Sequence, residues 1–137
     1  MSQEENKALV RRYYELLDQG DVDSIWPLFA EGFAWRFTGV PEPLNGETLG
    51  GMVHVFKTAF PDMKHTLDAQ MTDGNTVITP VAFSGTQTGD LMGIPPSGKG
   101  VEIRGINIHT VEDGKITGGE SVVDMMALMQ QIGAMPG

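Results

Sequence analysis

The sequence predicts an α+β domain, with helices gathered on one face of a mostly antiparallel sheet. Three observations carry this. Apolar residues recur at helical spacing through the first part of the chain. Residues 63–71 alternate between apolar and polar side chains, and Asp113-Gly114 stands between two apolar runs as a hairpin turn. Helices first and a meander of strands afterwards is the order expected of this fold class.

Ser2 and Glu5 form a capping-box pattern, and Leu9, Val10, Tyr13, Tyr14, Leu16 and Leu17 make a broad apolar stripe that ends at Gly20. Asp21 or Asp23 can cap a second, short helix through Ile25, Trp26, Leu28 and Phe29, where Pro27 falls early enough to be tolerated. Phe33, Trp35 and Phe37 alternate with Ala34 and Arg36 as a strand. A third helix spans residues 46–59, with Leu49, Met52, Val53, Phe56 and Ala59 on one face, and Pro61 ends it.

Residues 63–71 read as one strand, and Asp73-Gly74-Asn75 turns the chain back. Residues 76–87 follow with Val77, Val81 and Phe83 on one side; Pro80 within them marks an edge or a bulge. Residues 88–100 are rich in Gly and Pro and are expected to form a mobile rim loop over a cavity mouth. The final two strands cover residues 101–111 and 115–123, and a short amphipathic tail follows Asp124.

A chain of 137 residues fits one domain, 1–137, large enough to fold on its own core. It has no Cys, which excludes disulfides and thiolate metal sites. With 9 Lys+Arg against 18 Asp+Glu the formal charge is −9, which argues against nucleic acid or an anionic membrane as the main partner. No run approaches a membrane span and no signal-peptide pattern opens the chain, so a cytoplasmic location is expected. No His pair at ligand spacing, no Walker or Rossmann glycine pattern and no Gly-x-Ser-x-Gly occurs, so no metal or nucleotide cofactor is expected.

Asp124 is the first candidate for chemistry. An acid between an apolar strand and a helix-like run either caps that helix or acts as a general acid/base in an apolar pocket. His109 shares a strand face with Asn107 and can polarise a carbonyl; otherwise it is a strand histidine near a turn. His65 sits between Met63 and Leu67 on the apolar face, where core packing is the alternative to ligand contact. His54 falls on a helix and can readily face solvent. Glu120 has the strand parity of Asp124 but stands too far along the strand to share a proton with it; it can line the same cavity, with outward exposure an equal expectation. Tyr14, Trp35 and Phe56 are core residues that can line a cavity, and the nine Met suit an adaptable apolar pocket.

Gly85-Thr86-x-Thr88-Gly89, Gly93-Ile94-Pro95-Pro96-x-Gly98-Lys99, Asp113-Gly114-Lys115-Ile116 and Asp124 followed by Leu128-Met129-Gln130-Gln131-Ile132-Gly133 resemble the polyketide-cyclase-like, or ester cyclase, branch of the nuclear-transport-factor-2-like superfamily. A weaker likeness reaches back to about residue 5. The resemblance implies a cone-shaped, curved antiparallel sheet wrapped around three N-terminal helices, with a cavity inside the cone. It implies Asp124 as the acid/base of a cofactor-free enzyme with cyclase- or isomerase-type chemistry. The substrate would be a bulky, mostly apolar, polyketide-like carbonyl compound. Asp124 would remove a proton beside the carbonyl, and His109 or Asn107 would bond the enolate oxygen. Tyr14, Trp35, Phe56, His65, Asn107 and Glu120 would line the substrate site.

A homodimer is expected through the outer sheet face, because Val101 and Ile103 lie on one side of their strand while Ile106 and Ile108 lie on the other. The chain departs from the branch at Gln87, at Pro80-Val81 and at Gly119-Glu120, where relatives commonly have His, an Arg with an aromatic, and a His-Trp pair. These departures weaken the expectation of ring-closing aldol chemistry. The alternative is a small-molecule-binding or structural dimer without turnover; burial of Asp124 in a pocket favours the enzyme and exposure as a cap favours the binder.

Overall fold

The computed structural model describes residues 2–136. Helix α1, Gln3–Gln19, opens with the capping box: Ser2 accepts from the Glu5 backbone N–H and the Glu5 carboxylate accepts in return from the Ser2 N–H. Its stripe buries Val10, Tyr13, Tyr14, Leu16 and Leu17, and Gly20 closes it. Asp21 caps helix α2, Val22–Ile25, which runs on into a single 3-10 turn, Trp26–Leu28, containing Pro27. Strand β1, Phe29–Phe37, follows. Helix α3, Gly46–Ala59, begins at a second capping box, formed by Asn45 and Thr48.

The remaining strands are β2, Lys64–Leu67, β3, Met71–Asp73, β4, Thr76–Thr86, β5, Gly100–Glu112, and β6, Lys115–Val123. Helix α4, Met125–Gln131, ends the chain's regular structure. The sheet order is β1-β6-β5-β4-β2, with β3 also on β4. All neighbours are antiparallel except β1 and β6, which run parallel. The sheet is curved and unclosed: α1 touches β2 and β4 while α3 touches β1, so the helices pack against both of its flanks from one side. No helix among the described residues is long and apolar enough to cross a membrane.

The β5–β6 hairpin turns at Asp113 and Gly114, at φ 50° and 74°, the left-handed pair that a two-residue turn needs. The alternating run 63–71 is not one strand. Leu67 pairs with Val81 and Met71 with Ile78, so four steps on one side oppose three on the other. The break lies opposite Pro80, whose carbonyl accepts from the Asp68 N–H at 2.9 Å on the same edge where its own N–H is missing. The proline therefore marks the bulge that the sequence allowed.

Residues 88–100 are tied down rather than free to cover a cavity. Gln87 is fully buried, and its side chain donates to the carbonyls of Ile94 and Pro95, both at 3.2 Å, and accepts from the Ser97 N–H, also at 3.2 Å. Leu91 is fully buried in the core cluster of Phe60, Phe83, Val101 and Leu128. None of these loop residues lines the cavity between helices and sheet, so the rim-lid expectation fails. The Gln87 amide is the loop's internal clamp.

Candidate active site

Between α1, α3 and the inner face of the sheet lies a cavity of about 100 Å³. Helix α1 supplies Tyr13, Tyr14 and Leu17; α3 supplies Leu49, Met52, Val53 and Phe56. From the sheet come Trp35, Phe37, Val81, Phe83, Ile103, Asn107 and Ser121, because alternate residues of each strand face inward. Met63, His65, Gly105, Val123 and Met125 also line it, as does Arg104, whose side chain is 68% exposed and donates to Asp68 at 2.7 Å. Three of the nine Met residues thus line it.

The polar groups fall into three sets. The first is His65 with Asp18. One Asp18 oxygen lies 2.6 Å from His65 Nδ1, and the other accepts from the His65 backbone N–H at 2.8 Å. An ionised carboxylate only accepts, so Nδ1 carries the hydrogen, and in the neutral form of the ring the lone pair is on Nε2, at its far edge. The two side chains are 16% and 22% exposed. Asp18 is set in place because Lys57 donates to its backbone carbonyl, fixing the end of α1 against α3.

Tyr14 and Asn107 form the second set. The Asn107 amide donates to the Tyr14 hydroxyl, whose own hydrogen has no acceptor among the described residues. Burial, with the neighbouring Tyr13 and the Asp18 charge adding to it, raises the Tyr14 phenol well above its ordinary range, so it stays a neutral donor. The Tyr14 ring lies 5.1 Å from that of His65. An imidazole held by a carboxylate and a phenol hydroxyl therefore stand side by side in one wall.

The third set is Ser121, which accepts from Trp35 Nε1 at 3.1 Å. Gly119 makes room for that indole. A Cβ there would lie 2.8 Å from the Trp35 ring and 1.8 Å from the Ile108 carbonyl oxygen, and its φ is 148°. Trp35 thus occupies the space that a side chain at position 119 would need.

Tyr14, Trp35, Phe56, His65 and Asn107 are brought together here as the sequence predicts, but three other candidates are not. Asp124 is an exposed cap: its carboxylate accepts from the Ala127 N–H at 2.9 Å at the start of α4 and does not reach the cavity. Glu120 is exposed, at register positions beside Arg36 and Ile108, because inward parity on β6 belongs to Ser121 after the positive-φ glycines Gly118 and Gly119. His109 shares the face of Asn107 but lies outside the cavity wall, sealed among Tyr13, Tyr14 and Trp35 at ring distances of 5.3, 5.8 and 4.5 Å. Burial lowers its pKa to about 3, and neither ring nitrogen has a partner among the described residues. It is a neutral core histidine at ordinary pH.

Asp18 is the residue that the sequence reading passes over. A signal was present: it is an acid in the last turn of α1, a turn without basic residues, where the helix dipole disfavours negative charge. It also lies four residues after Tyr14, on the same flank of the stripe.

Comparison with known proteins places this architecture. No curated protein matches the chain. AclR, a proposed hydroxylase from Streptomyces galilaeus, is similar in structure with TM-score 0.89 at 20% identity, over 99% of this chain and 85% of that one. A proposed SnoaL-like polyketide cyclase from Jannaschia sp. CCS1 aligns with TM-score 0.86 at 23% identity, over 99% and 98% of the two chains. IdmH, a proposed polyketide cyclase from Streptomyces antibioticus, aligns with TM-score 0.83 at 25% identity, over 93% and 98%. These likenesses show the fold. The family model of SnoaL-like polyketide cyclases matches residues 7–132. The chain therefore belongs to the SnoaL-like polyketide cyclase family, within the nuclear-transport-factor-2-like superfamily.

Proposed function

We propose that the protein is a cyclase- or isomerase-type enzyme that moves a proton beside the carbonyl of an apolar small molecule. His65 is the base, held and polarised by Asp18; Tyr14, backed by Asn107, donates to the oxygen that becomes negative. The observation that carries this reading is the 2.6 Å contact of His65 Nδ1 with Asp18 in a residue that also lines the cavity. Proton removal by Nε2 leaves an imidazolium next to the Asp18 carboxylate, which stabilises it. The enolate oxygen meets the Tyr14 hydroxyl in a wall that is otherwise apolar, where such a bond is strengthened. The same imidazolium then returns the proton to another carbon or to the product. The family match and the cyclase-named neighbours support the reaction class.

Exposure of Asp124 favours the second reading, a small-molecule binder without turnover. The two separate on deuterium incorporation beside the carbonyl of a panel of apolar ketones, followed by NMR in heavy water. The enzyme reading expects catalysed exchange in at least one ketone and a loss of about 10² to 10⁴ in His65→Gln. Ketones that bind without exchange would leave the binder.

A homodimer through the outer sheet face also fits. Ile106 and Val122 are register partners there, exposed by 47% and 55%, an apolar pair that a second copy would cover. Light scattering at micromolar concentration should give twice the chain mass.

A further inference from the structure

We propose that Lys57 is a positioning residue for the Asp18–His65 pair. One ammonium fixes the backbone behind both members and so holds His65 in the tautomer with its hydrogen on Nδ1. Its part in turnover rests on the proton-transfer reading above; its hold on the pair rests on the bonds themselves.

Lys57 stands half-buried in the last turn of α3, and it forms no ion pair with a carboxylate among the described residues. Its ammonium donates instead to two main-chain carbonyls, that of Asp18 at 2.5 Å and that of Pro61 at 2.8 Å. Asp18 carries the carboxylate of the pair. Pro61 lies just before β2, the strand that carries His65. The lysine stem runs over Gly20, where a Cβ would lie 3.1 Å from Lys57 Cγ and where φ is 71°. The glycine that stops α1 thus also leaves the stem its path.

Asp18 needs such a hold. The last carbonyls of a helix have no partner inside it, and their dipoles disfavour an acid there. Backbone N–H groups of Gly20 and Asp21 take the Leu16 and Leu17 carbonyls, and the Asp18 carbonyl is taken by Lys57. The last turn of α1 has no basic residue of its own, so α3 supplies the cation. It offsets the charge that the helix end disfavours, and it ties that end to the chain entering β2. Both Asp18 oxygens are then placed on His65, one on the backbone N–H at 2.8 Å and one on Nδ1 at 2.6 Å. A shift of about 1 Å would take Nδ1 out of bonding range. Lys57 itself does not line the cavity, although Phe56 beside it does. It therefore acts on the base and not on the ligand.

The test is NMR of the histidine ring nitrogens in the isotope-labelled full chain, for the wild type, Lys57→Met and Lys57→Arg. His65→Gln identifies the His65 signals. Spectra are taken at about pH 9, above the ordinary histidine range. The wild type should show His65 as the Nδ1–H form, its proton shifted downfield by the bond to Asp18. Lys57→Met should move the ring toward the Nε2–H form, which a histidine side chain favours in water. Lys57→Arg keeps a charged donor and should recover most of the Nδ1–H form. Where Lys57→Met does not fold, Lys57→Gln takes its place with the same direction expected. For a ketone that exchanges, Lys57→Met should lower kcat by about 10 to 10² and change KM by less than about twofold. A wild type without the Nδ1–H form overturns the proposal. So does an unchanged tautomer in Lys57→Met, no recovery in Lys57→Arg, or a loss of exchange carried by KM. The expected change of tautomer in a protein that exchanges no ketone overturns the proton-transfer reading and leaves the hold of Lys57 on the pair standing.

Discussion

His65 and His109 both contact Tyr14, yet their surroundings give them opposite characters. His65, at the rim of the sheet on β2, has its Nδ1 on Asp18 and its ring in the cavity wall. His109, on the central strand β5, is fully buried among three aromatic rings with no partner for either nitrogen. The same imidazole is a candidate base in one place and a neutral packing group in the other. What differs is a carboxylate from α1, 47 residues away in sequence from His65, and an opening to a ligand. Burial alone removes the charge of a histidine; burial with a partnered nitrogen and a free one makes it useful.

A large effect that would break this contrast is expected at the residue that touches both rings. Tyr14→Phe should lower ketone proton exchange by about 10² to 10³, through loss of the donor to the forming oxyanion. It should leave the Asn107 amide without its acceptor. Exchange at the wild-type rate would remove Tyr14 from the chemistry and leave it as wall.

A smaller effect concerns stability and pH. His109 titrates near 3 in the fold against 6.5 in the unfolded chain. Between those values the unfolded chain binds a proton that the folded chain refuses. The contribution of His109 is therefore complete above pH 6.5 and lost as pH falls toward 3. The expected slope is roughly 1.4 kcal/mol per pH unit while only the unfolded chain is protonated. Urea unfolding of wild type and His109→Phe from pH 6.5 down to about 5, above most carboxylate titration, should show that slope in the first and a flatter line in the second. Parallel lines would mean that His109 is hydrated or partnered in solution. The smallest effect is at Asp124. Asp124→Ala should cost about 0.5–2 kcal/mol of stability by losing the α4 cap, with exchange little changed.

Much of the fold was legible because it is written locally. The Ser2-Glu5 capping box, the α1 stripe, the Asp113-Gly114 turn and the strand parity of Asn107 each depend on residues close together in sequence. Two features were not local. The parallel pairing of β1 with β6 joins residues such as Trp35 and Gly119, and no short-range pattern encodes it. The split of residues 63–71 depends on Pro80 in the facing strand.

The candidate site divides the same way. Tyr14, Trp35, Phe56, His65 and Asn107 reached the cavity because inward parity is periodic. Asp124 satisfied two readings from sequence, and the exposed cap is the one the fold adopts. His109 had the right parity but the wrong depth, which depends on how Tyr13 and Trp35 close over it. Asp18 carried only the weak signal of an acid at a helix C-terminus.

The central claim is that the base is His65 set by Asp18, and the most direct measurement compares two isosteric substitutions on one ketone that the protein binds. Deuterium incorporation beside the carbonyl is followed by NMR for the wild type, Asp18→Asn and Asp124→Asn. Asn at 124 still caps α4, so that variant should exchange within about twofold of the wild type. Asp18→Asn keeps the shape of the site but not the charge beside His65, and should lose about 10² to 10⁴. Loss of exchange in Asp124→Asn with Asp18→Asn unimpaired would contradict the account and return the chemistry to Asp124.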